Sequence, residues 1–237
     1  KEAYSTRGKS DDLMLSEGLK IASTLKDYID FLKSNDSRKM IGPWDMRMLE
    51  KIKQNIQSHK LARLLLSPVG DSIDLNGNIV TSLYHEFHIN WEFNYLPPTN
   101  ATIACKSLLD GLTLDFKNKK AIIYDLKTTQ KLWHFKDSIE MYDYCRQLEY
   151  YTMAVAWYLR NELGEDPVEW TFEYYIIGID TTGSYDIRVF KIDEKALESR
   201  NATIQKALTD IAWHQTTGKW DHSREYYEGD GSESLNL

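Results

Sequence analysis

Cysteine is nearly missing from this chain: there are two in 237 residues, Cys105 and Cys145. Two isolated thiols make neither a disulfide framework nor a cysteine-rich metal site, and they exclude an iron–sulfur cluster held by four cysteines of this chain. A reducing, intracellular setting is the simple expectation. Long apolar runs are also lacking. None approaches the roughly 20 residues that cross a bilayer, so the sequence reads as soluble with no membrane partner, and no signal-peptide pattern is seen. Positive charge is not in excess either, the net charge being −7. That argues against a polycation that coats nucleic acid without regard to sequence. It leaves room for a nucleic-acid enzyme, because a metal site needs carboxylates and a basic channel can be local. There is no internal repeat, and no linker divides the chain.

What is present is 42% hydrophobic and 12% aromatic residues, enough for one substantial core. Residues 1–10 are polar. Apolar residues at helical spacing predict a helix over 11–32, and one or two more over 44–67. After Gly70 the pattern changes. The stretch "SLYHEFHINWEFNY" alternates as a strand, "PPTN" is a turn, and "ATIACKSLLDGLTLDF" is a strand with a break expected at Gly111. "KNKK" is a charged hairpin turn, and "AIIYDLKTT" is a strand whose apolar start predicts burial on both faces. A single long helix is expected over 137–163, stopped by Gly164. The strands "VEWTFEYYIIGI" and "IRVFKI" flank a turn, and a last helix covers 193–218. The expectation is an α/β fold on a mixed sheet. Residues 1–70 form a helical segment of the same domain, 71–228 the core, and 229–237 a tail of disordered composition.

Chemistry enters at "IIYDLKTT". Period-two alternation puts Asp125 and Lys127 on one face. Asp110 ends the apolar run "SLLD" of the preceding strand, so a short hairpin brings it toward Asp125. Two carboxylates make a hard-oxygen site suited to Mg²⁺ or Mn²⁺, with the Leu126 carbonyl as a third ligand. Lys127 beside it would hold or deprotonate a water and offset negative charge. A D-x-K pattern alone is short and common, and reads first as a solvated ion pair. The next helix adds Gln147 and Tyr151, four apart and on one helical face.

Taken together, these stretches resemble the PD-(D/E)XK nucleases of the RecB-like branch, most of all the phage-type exonuclease VIII (RecE-like) group. "SHKLARLLL", "HEFHINW", "CKSLLD", "IIYDLKTT" and "YDYCRQLEYYTMA" match in order over roughly residues 55–160. The resemblance implies a restriction-endonuclease-like core in which Asp110 and Asp125 bind Mg²⁺, with Mn²⁺ substituting. It makes Lys127 the catalytic lysine. Gln147 and Tyr151 support the site or contact DNA, Glu86 is an auxiliary acid, and Thr128 and Thr129 orient backbone or phosphate. It also implies a double-stranded DNA end as substrate, digested 5′ to 3′ in phage-type recombination or repair. A single-strand annealing protein and further copies of the chain would be partners, in the cytoplasm of a bacterial or phage-infected cell. Two departures stand out. Leu108-Leu109-Asp110 replaces the branch's R-x-D. The usual early-helix histidine is not found, since His59 matches a later helix, and it would lie upstream of Lys1. Two alternatives stay open: a structure-specific or restriction-like endonuclease, and a non-catalytic DNA- or partner-binding module.

Other side chains were weighed for the same cleft. His88 and His134 read as surface residues, Lys117, Lys119 and Lys120 as a solvated hairpin tip, and Trp157 as core. Trp91 and Trp133 are candidates for stacking on bases.

Overall fold

The computed structural model describes residue 26, residues 42–94 and residues 102–232. The helix expected over 11–32 lies outside the described residues except for Lys26, as does the "PPTN" turn. The chain divides into two compact units, Lys1–Met46 and Arg47–Leu237. The account below concerns the second.

Helix α1 (Pro43–Ser58) enters this unit and is followed by α2 (Lys60–Leu65). The side chain of His59 accepts the Ala62 amide hydrogen, so this histidine caps α2. Six strands follow: β1 (Gly70–Ile73), β2 (Ile79–Asn94), β3 (Thr102–Asp115), β4 (Lys120–Thr129), β5 (Thr171–Asp180) and β6 (Ile187–Ile192). They form one sheet in chain order. Every neighbouring pair is antiparallel except β4–β5, which is parallel. Between those two strands lie α3 (Phe135–Met141) and α4 (Tyr144–Asn161), the crossover that parallel pairing requires. Helices α5 (Glu194–Thr217) and α6 (Arg224–Glu228) end the described chain.

The sheet carries a core on each face. On one, Leu148, Val155 and Leu159 of α4 and Leu197, Ile204 and Leu208 of α5 pack on Ile89, Leu109, Ile123 and Ile176. On the other, Leu65 with Leu61 and Ile52 covers Tyr124, Tyr175, Ile177 and Ile179. Burial on both faces explains the near-continuous apolar runs of β4 and β5.

Three features differ from the sequence expectation. Strand β1 was not anticipated; all four of its residues are exposed, so no burial pattern marks it. The helix expected over 137–163 is broken at Tyr142–Asp143. There Asp143 takes a left-handed φ of 46° and its carboxylate receives the Arg200 guanidinium at 2.9 Å. Gly111 does not end its strand, and β3 runs through it unbroken.

What changes near Gly111 is the facing of the strand. The residues of β3 that enter the α4/α5 core are Ile103, Cys105 and Leu109, then Leu112 and Leu114. The buried row therefore slips from odd to even numbers across Asp110–Gly111. Strand β2 slips at the same level, from Trp91 and Ile89 to Tyr84. Glu86 sits at that slip with a left-handed φ of 48°, a conformation uncommon for a non-glycine residue. It drops out of the ladder between His85↔Gly111 and Phe87↔Leu109. The alternation expected along "SLYHEFHINWEFNY" is broken there.

Candidate active site at a fork in the sheet

Pairing of β3 with β4 starts at the hairpin and stops at Gly111↔Tyr124. The next pair in register would be Asp110 opposite Asp125. Instead the strands part. Among the described residues, β4 continues against β5 alone and β3 continues against β2 alone. The two acids face each other in the opening of this fork. The Asp110 side chain spans it, its Oδ2 accepting the Leu126 N–H at 2.6 Å. A carboxylate thus satisfies a backbone donor close to the point where the ladder lapses.

Asp125 continues the odd row of β4, after Ala121 and Ile123, into the face covered by α4. It is 2% exposed. Burial raises its pKa to about 6, with Lys127 pulling it down and Asp110 pushing it up. The Lys127 ammonium pairs with Asp125 Oδ2. That oxygen nonetheless lacks an aligned hydrogen bond, so the lysine balances charge without saturating the carboxylate. The ammonium also lies 5.0 Å from the ring centroid of Tyr144, in the first turn of α4.

On the same helix Gln147 Nε2 donates to the Tyr151 hydroxyl at 2.7 Å. Tyr151 is buried, and its hydroxyl is shifted upward by that burial. Gln147 opposes the shift, while the charges of Asp125 and Asp110 add to it. The Gln147–Tyr151 pair therefore borders the acids.

The remaining candidates are placed differently. Glu86 stands level with Asp110 on β2 but is exposed, and among the described residues no three His, Cys, Asp or Glu side chains are grouped to hold a metal ion. Thr128 is exposed. The Thr129 hydroxyl accepts the Lys131 N–H at 3.0 Å and its carbonyl accepts the Thr181 N–H at 2.9 Å, which shapes the strand end. Leu126 brings its N–H to the fork. The hairpin-tip Lys119 and Lys120 are paired with Glu165 and Glu173. Trp91 is buried and bonded to Ser107, whereas Trp133 is exposed beneath the Arg188 guanidinium, 3.8 Å from its ring centroid.

Three residues that sequence reasoning did not place in the site build the fork. The Tyr124 ring lies on Gly111, where an added Cβ would come within 1.8 Å of the ring. Its hydroxyl meets His85 Nδ1, and His85 Nε2 lies 2.7 Å from the Ser67 carbonyl. A carbonyl only accepts, so Nε2 carries a proton; in the neutral ring Nδ1 then accepts from Tyr124. The signal available in the sequence was adjacency alone, since Gly111 follows Asp110 and Tyr124 precedes Asp125.

Asp110 and Asp125 suit Mg²⁺, which binds through one or two carboxylates and fills its octahedron with waters and phosphate oxygens. The convergence of Asp110 on the buried Asp125, whose Oδ2 has the Lys127 ammonium beside it, is the observation that fits such an ion.

No protein-family model matches this chain, and no curated protein matches it. Among solved structures it is similar to one named "Putative exonuclease" from Eubacterium rectale. The two are 14% identical, the likeness covers 98% of this chain and 78% of that one, and the TM-score is 0.46. Among the described residues no helix is long and apolar enough to cross a membrane.

Proposed function

We propose that this chain is a metal-dependent DNA exonuclease with a PD-(D/E)XK, restriction-endonuclease-like core. The observation that carries the proposal is the meeting of Asp110, Asp125 and Lys127 where the sheet forks. Mg²⁺, or Mn²⁺ in its place, would be held by Asp110, Asp125 and the Leu126 carbonyl. Bound there, the ion supplies Lewis-acid polarisation of a phosphoryl oxygen and an acidified water.

The protein's own groups do the rest. Lys127 holds the attacking water beside the phosphorus and offsets charge that grows on the phosphoryl oxygens. Asp125, whose pKa is raised chiefly by burial, pairs with Lys127 and orients its ammonium toward the fork. The Leu126 N–H fixes one Asp110 oxygen and leaves the other for a ligand. Gln147 and Tyr151 wall the site and touch the strand. The parted strands leave an opening in which a phosphodiester can approach both acids. The sequence resemblance supports the finer reading: duplex ends cut 5′ to 3′ in phage-type recombination, a single-strand annealing protein as partner, and a homo-oligomer.

A non-catalytic DNA-binding module is the second reading. It draws on the two-carboxylate site, with Glu86 standing apart.

End-labelled linear duplex, incubated with Mg²⁺, tests both. The wild-type protein should degrade it from the ends, EDTA should stop this, and Lys127→Ala should slow it about 10²- to 10⁴-fold. A covalently closed circle should survive, and its cleavage would mark an endonuclease. Binding without degradation in either Mg²⁺ or Mn²⁺ would remove the catalytic reading.

A further inference from the structure

Beside the fork lies a cavity of about 530 Å³ between α4 and α5. That volume is within the usual range for a small-ligand site. Two of its lining residues also belong to the surroundings of the two acids. Tyr144 carries the Lys127 ammonium over its ring, and Gln147 is bonded to Tyr151. A ligand in the cavity would therefore be a neighbour of whatever occupies the fork.

The lining has three chemistries. Ile204 and Leu208 form an apolar wall, with Ala207 at the rim. Opposite them are flat aromatic faces. Tyr142 is 62% exposed and stacks on Tyr144 with centroids 5.8 Å apart and planes 25° apart. The helix break makes this arrangement. Asp143, left-handed and held by Arg200, ends α3 and starts α4 anew, so Tyr142 stands outside both helices. The cation is Arg146. It shares Asp143 with Arg200, at 3.8 Å and 2.9 Å respectively, so two guanidiniums face one carboxylate. Arg146 is more than half exposed and reaches the cavity.

Stacking faces, an apolar floor and a cation at the rim are the elements with which proteins hold single-stranded nucleic acid. We infer that this cavity is a nucleotide subsite. One unpaired base of the strand lodges between Tyr142 and the Ile204–Leu208 wall, and its phosphate meets Arg146. The inference rests on the nuclease reading of the fork and deepens it. A duplex end would be opened by at least one base at the site, the freed base moving into the cavity while its neighbouring phosphodiester reaches Asp110 and Asp125.

The test is fluorescence anisotropy in EDTA, with a short 5′-labelled oligothymidylate and an abasic strand of equal length. The wild-type protein should prefer the strand that has bases. Tyr142→Ala, at an exposed position, and Ala207→Trp, which fills the cavity from its rim, should each weaken oligothymidylate binding about 5- to 100-fold. Both should leave abasic binding nearly unchanged, whereas Arg146→Ala should weaken both strands. Equal affinity for the two strands, or wild-type affinity in Tyr142→Ala and Ala207→Trp, would overturn the subsite. Duplex cleavage assayed in parallel keeps the two conclusions apart. Cleavage by wild-type protein without base preference removes the subsite and leaves the nuclease. Base preference without any cleavage removes the nuclease and leaves a nucleotide-binding cavity.

Discussion

In a chelating buffer, Asp125→Asn should be more stable than the wild-type protein at neutral pH by about 2–3 kcal/mol, while losing cleavage. The stability gain follows from the burial of this carboxyl. Its folded-state pKa is raised from 3.8 to about 6, chiefly by desolvation. The folded protein therefore binds that proton more tightly than the unfolded chain does. The resulting stabilisation is complete below pH 4 and is lost as the pH rises through about 6. Above that the native state keeps a carboxylate whose desolvation the Lys127 ammonium only partly offsets. Asparagine has the same shape and never ionises. The gain of the variant over wild type should thus be near zero at pH 4 and reach its full size by pH 7, read as the difference between two urea-unfolding series. The ion pair with Lys127 argues the other way, since breaking a well-made buried pair destabilises. Here desolvation outweighs it, being the largest cause of the raised pKa even with Lys127 in contact. A variant less stable than wild type at pH 7 would reverse that judgement. The wild-type protein, and not the variant, should be stabilised by added Mg²⁺, as a ligand bound to the native state alone requires.

Gly111→Ala should be the most damaging small change in the sheet, costing about 3 kcal/mol or more. The reason is contact and not backbone torsion. The new methyl would overlap the Tyr124 ring, whose side chain is completely buried and tethered through its hydroxyl to His85. The ring has nowhere to go without breaking that bond or opening the α1/α2 side of the core. Because Gly111↔Tyr124 is the last pair before the fork, the same shift would displace the acids that flank it. Cleavage should therefore fall with stability. Coupling to Tyr124→Leu gives the check: if the collision is the cause, the double variant is less unstable than the sum of the singles. Simple additivity would place the damage elsewhere.

Much of the sheet could be read from alternation and turn chemistry. Strands β3, β4 and β6 fall within a residue of their expected bounds, because apolar rows and the "KNKK" turn mark them. The approach of Asp110 to Asp125 followed from that turn, and the Gln147–Tyr151 bond from four-residue helical spacing. What escaped reading depends on contacts between distant parts of the chain. No glycine or proline marks the helix break at Asp143; its partner Arg200 lies on α5. Local pattern is also silent on Glu86, which reads as an alternating strand residue and yet carries the reversal of β2. Gly111 was legible as a glycine but not as a passage for a ring on the next strand. For Leu126 the sequence pointed to its carbonyl, and the fold brings its N–H to Asp110.

Lys127 is caught between a carboxylate and an aromatic ring before any ligand arrives. A free lysine side chain has about 2 kcal/mol of rotamer entropy to lose when it is pinned. In this protein folding has already removed much of that freedom, and an anion meeting the ammonium at the fork need not remove it again. The disorder given up in building the core thereby becomes affinity at the site, and Tyr144, which lies beneath the ammonium, is one of the residues that make the exchange.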